Sequence, residues 1–406
     1  MSEQALEGLK VLDFCWIAAG PMTTKYLSEY GATVVRVEST KRPGSLRLAA
    51  PFKDGVSGIN RSGYFANYNA NKYGITIDMG HPRARDLILQ LVSWADLVTD
   101  SFTPGMMERW GLGYTDLKEV NPRIVMFSTS MLGRGGTIDT QPGFGAVLSS
   151  LAGFTNITGW PDRGPVNPYG AYTDFIAPKF AIAAILSALD YQRRTGRGLH
   201  LDMSQLESAL HFTAPMLLDY AVNDREPELM GNRHPSAAPH GVFPCQGDDR
   251  WIAIACFNDE EWQSLCRAMD PPSADQLAQE RFATQTGRKA NEDDLDRIIA
   301  QWTSNWESAE LMTTLQSFGV AAGKVNDCRD LYEDPQLKHR GHFQYLEHPE
   351  MGRYASDTSE WRLSQTPGNL HRAAPMIGQD TEYVLKEFIG LTEDEYQSLS
   401  QDGLFV

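Results

Sequence analysis

The chain has 406 residues, 42% of them hydrophobic, and a formal charge of −16 from 52 acidic and 36 basic side chains. At ~100–200 residues per domain this is enough for two domains with sizeable cores. The acidic balance, without a run of five basic residues, speaks against nucleic acid and membrane partners, so an anionic ligand has to find a local basic pocket.

The N-terminus shows no basic region followed by an apolar stretch, and no segment reaches ~18 uncharged apolar residues. The five cysteines, Cys15, Cys245, Cys256, Cys266 and Cys328, have neither CxxC nor Cys/His metal spacing. A reduced, cytoplasmic protein without a metal is expected.

In chain order, "LKVLDF" (9–14) is a short apolar strand, "GPMTTKYLSEYG" (20–31) a helix ending in glycine, and "ATVVRVE" (32–38) a second strand. That βαβ unit predicts parallel pairing with a right-handed crossover. The pattern continues through "YGITIDM" (73–79), a helix over 82–94, "DLVTD" (96–100) and "PRIVMFSTS" (122–130), as in a doubly wound α/β domain. A long apolar helix near 178–193 leads through a glycine-punctuated turn into a strand and another helix by 210. The polar, Pro-rich stretch 223–241 suits a linker. A second unit starts at "RWIAIAC" (250–256), with amphipathic helices at 259–269 and 292–317. A polar stretch follows "GVAAGKVND" (319–327), and a helix returns at 380–390.

Several chemistries are absent as motifs. GxGxxG does not follow the first strand, and neither GxxxxGK[ST] nor GxSxG occurs. "GRGG" (133–136) could bring backbone N–H groups to an anion, but is more often a plain loop. Ser128 and Ser130 sit at a strand end, and His234 and His240 in a turn. Asp174, in "YGAYTDFIAP", stands just before a Pro-initiated apolar helix. Taken alone it reads first as a helix cap and second as a carboxylate held out to react.

Read in order, "LEGLKVLDF…AAGP…LSEYGATVVRVE", "NYNANKYGITIDM", "ADLVTDSFTPGMMERWGLGYTDLKEVNPRIV", "YTDFIAPKFAIAAILSALDYQRRTGRGLHLDMSQLES" and "GNRHPSAAPHGVFPC" resemble the family III CoA-transferases, the formyl-CoA and carnitine CoA-transferase group. The resemblance runs from about Leu6 to "APMIGQDTEYVL" at 374–385. It implies an α/β fold: a Rossmann-like large domain built from both chain ends (1–225 and 326–406), a smaller α+β domain with its linkers at 226–325, and an interlocked dimer. The partner chain could be a second copy or a related subunit.

The resemblance also makes Asp174 the nucleophile in ping-pong transfer of CoA from an acyl-CoA thioester to an acceptor acid, through aspartyl anhydride and aspartyl-CoA intermediates. Thioester and acid exchange at nearly equal energy, so coenzyme A thioesters are substrates and no cofactor is implied. By the same similarity CoA meets the Ala18 and Ala19 turn, Arg42, Lys72, Ser101, Phe102 and Arg109. The plainer reading of Lys72 and Arg109 is solvated surface charge. Trp16, Phe144, Trp160, Tyr172 and His240 would line the acyl pocket.

Three departures bear on substrate. Ser101 replaces the usual Asn, "GRGGT" replaces "G.GP", and Ala18 stands where formyl-CoA transferase has a glutamine, which predicts a roomier, less polar pocket. The glycine-rich loop of the second domain has no counterpart around 228–250. "DFCWIAAGP", "RWIAIAC" and "NRHPSAAPHGV" look most like succinyl-CoA:benzylsuccinate transferases of aromatic degradation, which implies succinyl-CoA as donor and a bulky or aryl-substituted acceptor. The rival is an α-methylacyl-CoA racemase, but Phe144 occupies the position of its catalytic histidine. A silent CoA-binding subunit is a third possibility, against which stands the retained Asp174.

Overall fold

A computed structural model describes residues 4–406. Six parallel strands form the main sheet: β1 (Lys10–Phe14), β2 (Thr33–Glu38), β3 (Tyr73–Thr76), β4 (Leu97–Asp100), β5 (Val125–Ser130) and β6 (Leu199–Ser204). Their spatial order is β3-β2-β1-β4-β5-β6. Val11 pairs with Val34 on one side and Leu97 on the other, so the direction of winding reverses beside β1. In open parallel sheets ligands bind beyond the carboxyl ends of the strands at such a reversal.

The strands read as near-continuous apolar runs because helices cover both faces. One face packs Leu12, Val35, Ile75, Val98 and Met126 against α3 (Ala84–Trp94), and the other packs Val11, Val34, Leu97 and Phe127 against Ala181, Ile185 and Ala188 of α5 (Tyr172–Thr195). Each such Val, Leu, Ile, Phe or Met side chain contributes about 1.5–3 kcal/mol on burial. Gly198, leading into β6, is obligatory because a Cβ there would lie 1.9 Å from the Ile124 carbonyl oxygen.

The chain forms two compact units. The first comprises residues up to Phe154, then Asn167–Arg225 and Pro335–Val406; the second comprises Thr155–Val166 and Glu226–Asp334. In the second, β7 (His240–Pro244), β8 (Trp251–Ala255) and β9 (Ala321–Lys324) make an antiparallel sheet around Phe243, Ile252, Ile254, Trp262, Leu295 and Trp302. The sequence pattern does not mark β9 as a strand, because its residues are mostly Ala and Gly, which are depleted in strands. The helix expected over 292–317 is two, Glu292–Thr303 and Ser308–Ser317, because Glu307 caps the second by accepting from the N–H groups of Ala309 and Glu310.

In the first unit the end of the chain returns to its beginning. A hairpin, β10 (Phe343–His348) with β11 (Gly352–Asp357), lies by α1 (Ala19–Glu29), whose buried Lys25 donates to the Asp357 carboxylate at 2.6 Å. Asp380, just before the helix Thr381–Ile389, accepts from the Gly74 N–H at 2.8 Å. The helix α5 is long and apolar enough to cross a bilayer; 44% of that window is buried, through residues such as Ala181, Ile185 and Ala188 that pack on the sheet.

Candidate active site

The turn leaving β1 is held from below by Asp13. Its buried carboxylate accepts from Cys15 N (2.9 Å), Thr24 Oγ1 (2.7 Å), Thr99 Oγ1 (3.0 Å) and Lys72 Nζ (3.2 Å). Burial alone would raise its pKa, but the Lys72 and Arg36 charges hold it below the usual carboxylate range. Lys72 is itself fully buried and also donates to Pro21 O, Thr24 Oγ1 and Asn69 Oδ1. This corrects both readings of Lys72: it is neither a surface charge nor free to meet a phosphate. The ammonium is spent on the turn, and burial brings its pKa down to about 8.

Above this pair Ala18 caps α1 with φ 31°, a strained value for a residue with a Cβ. Ser101, which follows β4, accepts from the Trp16 N–H at 3.1 Å and thereby fastens the same turn. Ala19 is the buried first residue of α1.

Two clefts open at the carboxyl ends of the strands. The first, about 330 Å³, lies beyond β1–β3 and is lined by Trp16, Ser39, Lys41, Arg42, Asp78, Phe102 and Trp110. Trp16, Phe102 and Trp110 stack edge to face, with ring centroids 5.4 and 5.2 Å apart. Lys41 pairs with Asp78 at 2.5 Å, while Arg42 is exposed beside it. Trp16 therefore belongs to this cleft and not to the wall around Asp174. Arg109 is exposed, its guanidinium contacting only Met106 Sδ at 3.3 Å among the described residues.

The second cleft, about 320 Å³, lies beyond β4–β6 and includes Ala18, Tyr64, Ser101, Phe102, Ser130, Phe144, Gly145, Gln205 and Asp174. Phe102 lines both clefts, so the two adjoin. Asp174 lies in the first turn of α5, which starts at Tyr172 and runs through Pro178, six residues earlier than the proline suggested. Pro178 has no N–H, so the Asp174 carbonyl lacks its helical donor. The carboxylate does not cap the helix and accepts no hydrogen bond among the described residues. Burial pushes its pKa up to about 7.

Gly145 explains how that carboxylate is approached: a Cβ there would lie 2.3 Å from Ala171 Cβ and 3.0 Å from Asp174 Oδ1. Tyr64 shares the cleft, and neither residue was singled out from the sequence. Phe144 lines the rim but is 69% exposed, and Tyr172 packs edge-on against Phe154 at 5.2 Å. Trp160 and His240 belong to the second unit. There Trp160 covers Gly231, and His240 Nδ1 lies 2.7 Å from Asn232 O, beside His234 and Phe257.

Sequence reasoning also missed a buried chain across three neighbouring strands. Ser128 Oγ donates to Asp100 Oδ2 at 2.5 Å and lies 2.9 Å from His200 Nε2. Burial raises the Asp100 pKa to about 6 and lowers that of His200. The serine proton is committed to the carboxylate, so this order does not activate a nucleophile. The "GRGG" loop is no open anion nest. Arg134 N donates to Asp202 and Gly135 N to Asp139, both at 2.9 Å, and the Arg134 guanidinium pairs with Glu108 at 2.7 Å.

Residues 6–381 match the family model for CoA-transferase family III. The chain is 31% identical over 395 residues to succinyl-CoA--D-citramalate CoA-transferase of Chloroflexus aurantiacus, covering 97% of this chain and 96% of that protein. It is 28% identical to human succinyl-CoA:glutarate CoA-transferase, over 95% of this chain and 86% of that one. Among solved structures, a CAIB/BAIF family protein from Brucella suis superposes with a TM-score of 0.86 at 29% identity, over 95% and 100% of the two chains. With a carboxylate unpaired among the described residues and an aromatic cleft edged by Arg42 adjoining at the carboxyl ends of a parallel sheet, the chain belongs to the family III CoA-transferases.

Proposed function

We propose that this CoA-transferase moves CoA from succinyl-CoA to a short dicarboxylic acid, with Asp174 as nucleophile. The observation that carries the reading is the Asp174 carboxylate itself, which is nearly buried, free of hydrogen bonds among the described residues, and open to a cleft that adjoins the aromatic one edged by Arg42. A desolvated carboxylate is a stronger nucleophile than a solvated one, and near neutral pH it is ionised in part without a separate base.

Asp174 attacks the thioester carbonyl, and the C–S bond breaks to leave an acyl-aspartyl anhydride and CoA thiolate. The thiolate attacks the aspartyl carbonyl, releasing succinate and leaving an aspartyl-CoA thioester. The acceptor carboxylate displaces the thiolate to form a second anhydride. Attack of the thiolate on the acceptor's carbonyl then gives the new thioester and frees Asp174. No proton or redox equivalent is consumed. Arg42 and the rings of Phe102 and Trp110 would hold the nucleotide end, and the Ala18 turn would border the pantetheine.

Dicarboxylates are favoured as acceptors because the relatives' names specify D-citramalate and glutarate. An aryl-substituted acceptor has less support: of the expected aromatic wall only Phe144 lines the Asp174 cleft, alongside Tyr64 and Phe102, while Trp16 lines the other cleft and Tyr172 packs on Phe154. A dimer partner, a second copy or a related chain, remains part of the proposal, since relatives include succinyl-CoA--L-malate CoA-transferase alpha and beta subunits. The test is turnover with succinyl-CoA and a panel of acids, with borohydride or hydroxylamine trapping. Label on Asp174 and loss of transfer in Asp174→Ala are expected; substantial activity in that variant overturns the role of Asp174.

A further inference from the structure

One polar atom of the Asp174 cleft stands apart. The Ser130 hydroxyl, on a residue only 8% exposed, has no hydrogen-bond partner among the described residues. A buried hydroxyl left unpaired costs about 1–3 kcal/mol, a cost that a ligand supplying an acceptor removes. Beside it β6 runs directly into α6 (Gln205–Asn223), a helix of 19 residues. Ser130 and Ser204 are register partners on β5 and β6, so Ser130 stands next to the N-terminus of that helix, where the dipole favours negative charge.

Gln205, the first residue of α6 and 9% exposed, lines the same cleft. Its Nε2 makes only a long contact, 3.5 Å, to Thr129 Oγ1, and is available to a closer acceptor. No Lys or Arg lines this cleft among the described residues. An anionic group entering it therefore meets the neutral donors of Ser130 and Gln205 beside a helix terminus, while the Asp139 carboxylate lies elsewhere on the lining and is itself bonded to the Gly135 N–H.

We propose that Ser130 and Gln205 form the subsite for the distal carboxylate of the dicarboxylic acid whose other carboxylate reacts at Asp174. This rests on the CoA-transfer reading above and assigns the residues that select its substrate. A monocarboxylic acid of the same length leaves both donors unpaired, and a site built to hydrogen-bond a group discriminates strongly against an analogue lacking it.

The measurement is the ratio of kcat/KM for glutarate to that for pentanoate as acceptors, which in ping-pong kinetics does not depend on the donor. Ser130→Ala is expected to lower the ratio about tenfold. Gln205→Glu, of the same size but negatively charged, is expected to lower it further. A ratio near one in the wild type, or a ratio unmoved by both substitutions, overturns the subsite, because a merely structural role lowers both rates together. Failure of CoA transfer itself would show as no thioester from any acid. In that event calorimetry decides the subsite alone: glutarate binding lost in Ser130→Ala supports it, and equal binding by variant and wild type overturns it.

Discussion

Replacing Asp174 by asparagine separates what the carboxylate costs from what it does. The side chain is 7% exposed, and burial raises its pKa from 3.8 to about 7. Below pH 3.8 both folded and unfolded chains hold the proton, and the group has no effect on stability. As pH rises the unfolded chain gives the proton up first, so the folded state is progressively disfavoured until about pH 7, above which the penalty is constant. A rise from 3.8 to about 7 corresponds to about 4 kcal/mol. The stability advantage of Asp174→Asn over wild type should therefore grow by up to about 4 kcal/mol between pH 4 and pH 8, measured by denaturant unfolding at each pH. Over the same range wild-type kcat/KM should climb through an acid limb near pH 7, because the ionised form of the free enzyme is the nucleophile, while the variant transfers no CoA. A stability difference that does not change with pH, or an acid limb near pH 4, would refute the desolvated carboxylate.

Lys72→Met leaves Asp13 buried without its ion pair and is expected to cost about 3–5 kcal/mol, seen as a lower Tm; a raised KM for acyl-CoA at unchanged Tm would return Lys72 to a ligand-binding role. Arg42→Ala should raise KM for acyl-CoA several-fold, most at low ionic strength, with Tm unmoved, since its side chain is exposed. Ala18→Gly relieves the strain at φ 31° and should leave Tm equal or higher, whereas alanine to glycine in ordinary helical backbone costs about 1 kcal/mol; a clear fall in Tm would show that Ala18 is not strained.

The parallel sheet was legible because apolar runs of strand length alternate with helix-length segments, a pattern that leaves little choice of topology. Asp174 was legible only as a choice between cap and nucleophile. The absence of a capping bond and the proline inside the helix decide against the cap, and neither can be read from one acid before one proline. The burial of Lys72 is not legible because three of the four residues of "NANK" are polar and the partner that accounts for it, Asp13, is 59 residues away in the chain. The Asp100–Ser128–His200 chain needs three strands in register, and the segment 155–166 joins the second unit through contacts with residues such as Gly231. Short-range patterns carry no record of either.

The bond from Gly74 to Asp380 spans 306 residues, and Lys25 and Glu29 of α1 likewise wait for Asp357 and Ser359. On a ribosome adding ~5–20 residues per second, the strands at the start of the chain stay without these partners for about 15–60 s. The second unit, nearly contiguous in sequence, is complete in that interval, so the later part of the chain settles before the earlier part does. Loss of residues 335–406 would thus be as damaging as the loss of a central strand, because Asp357, Ser359 and Asp380 close the first unit.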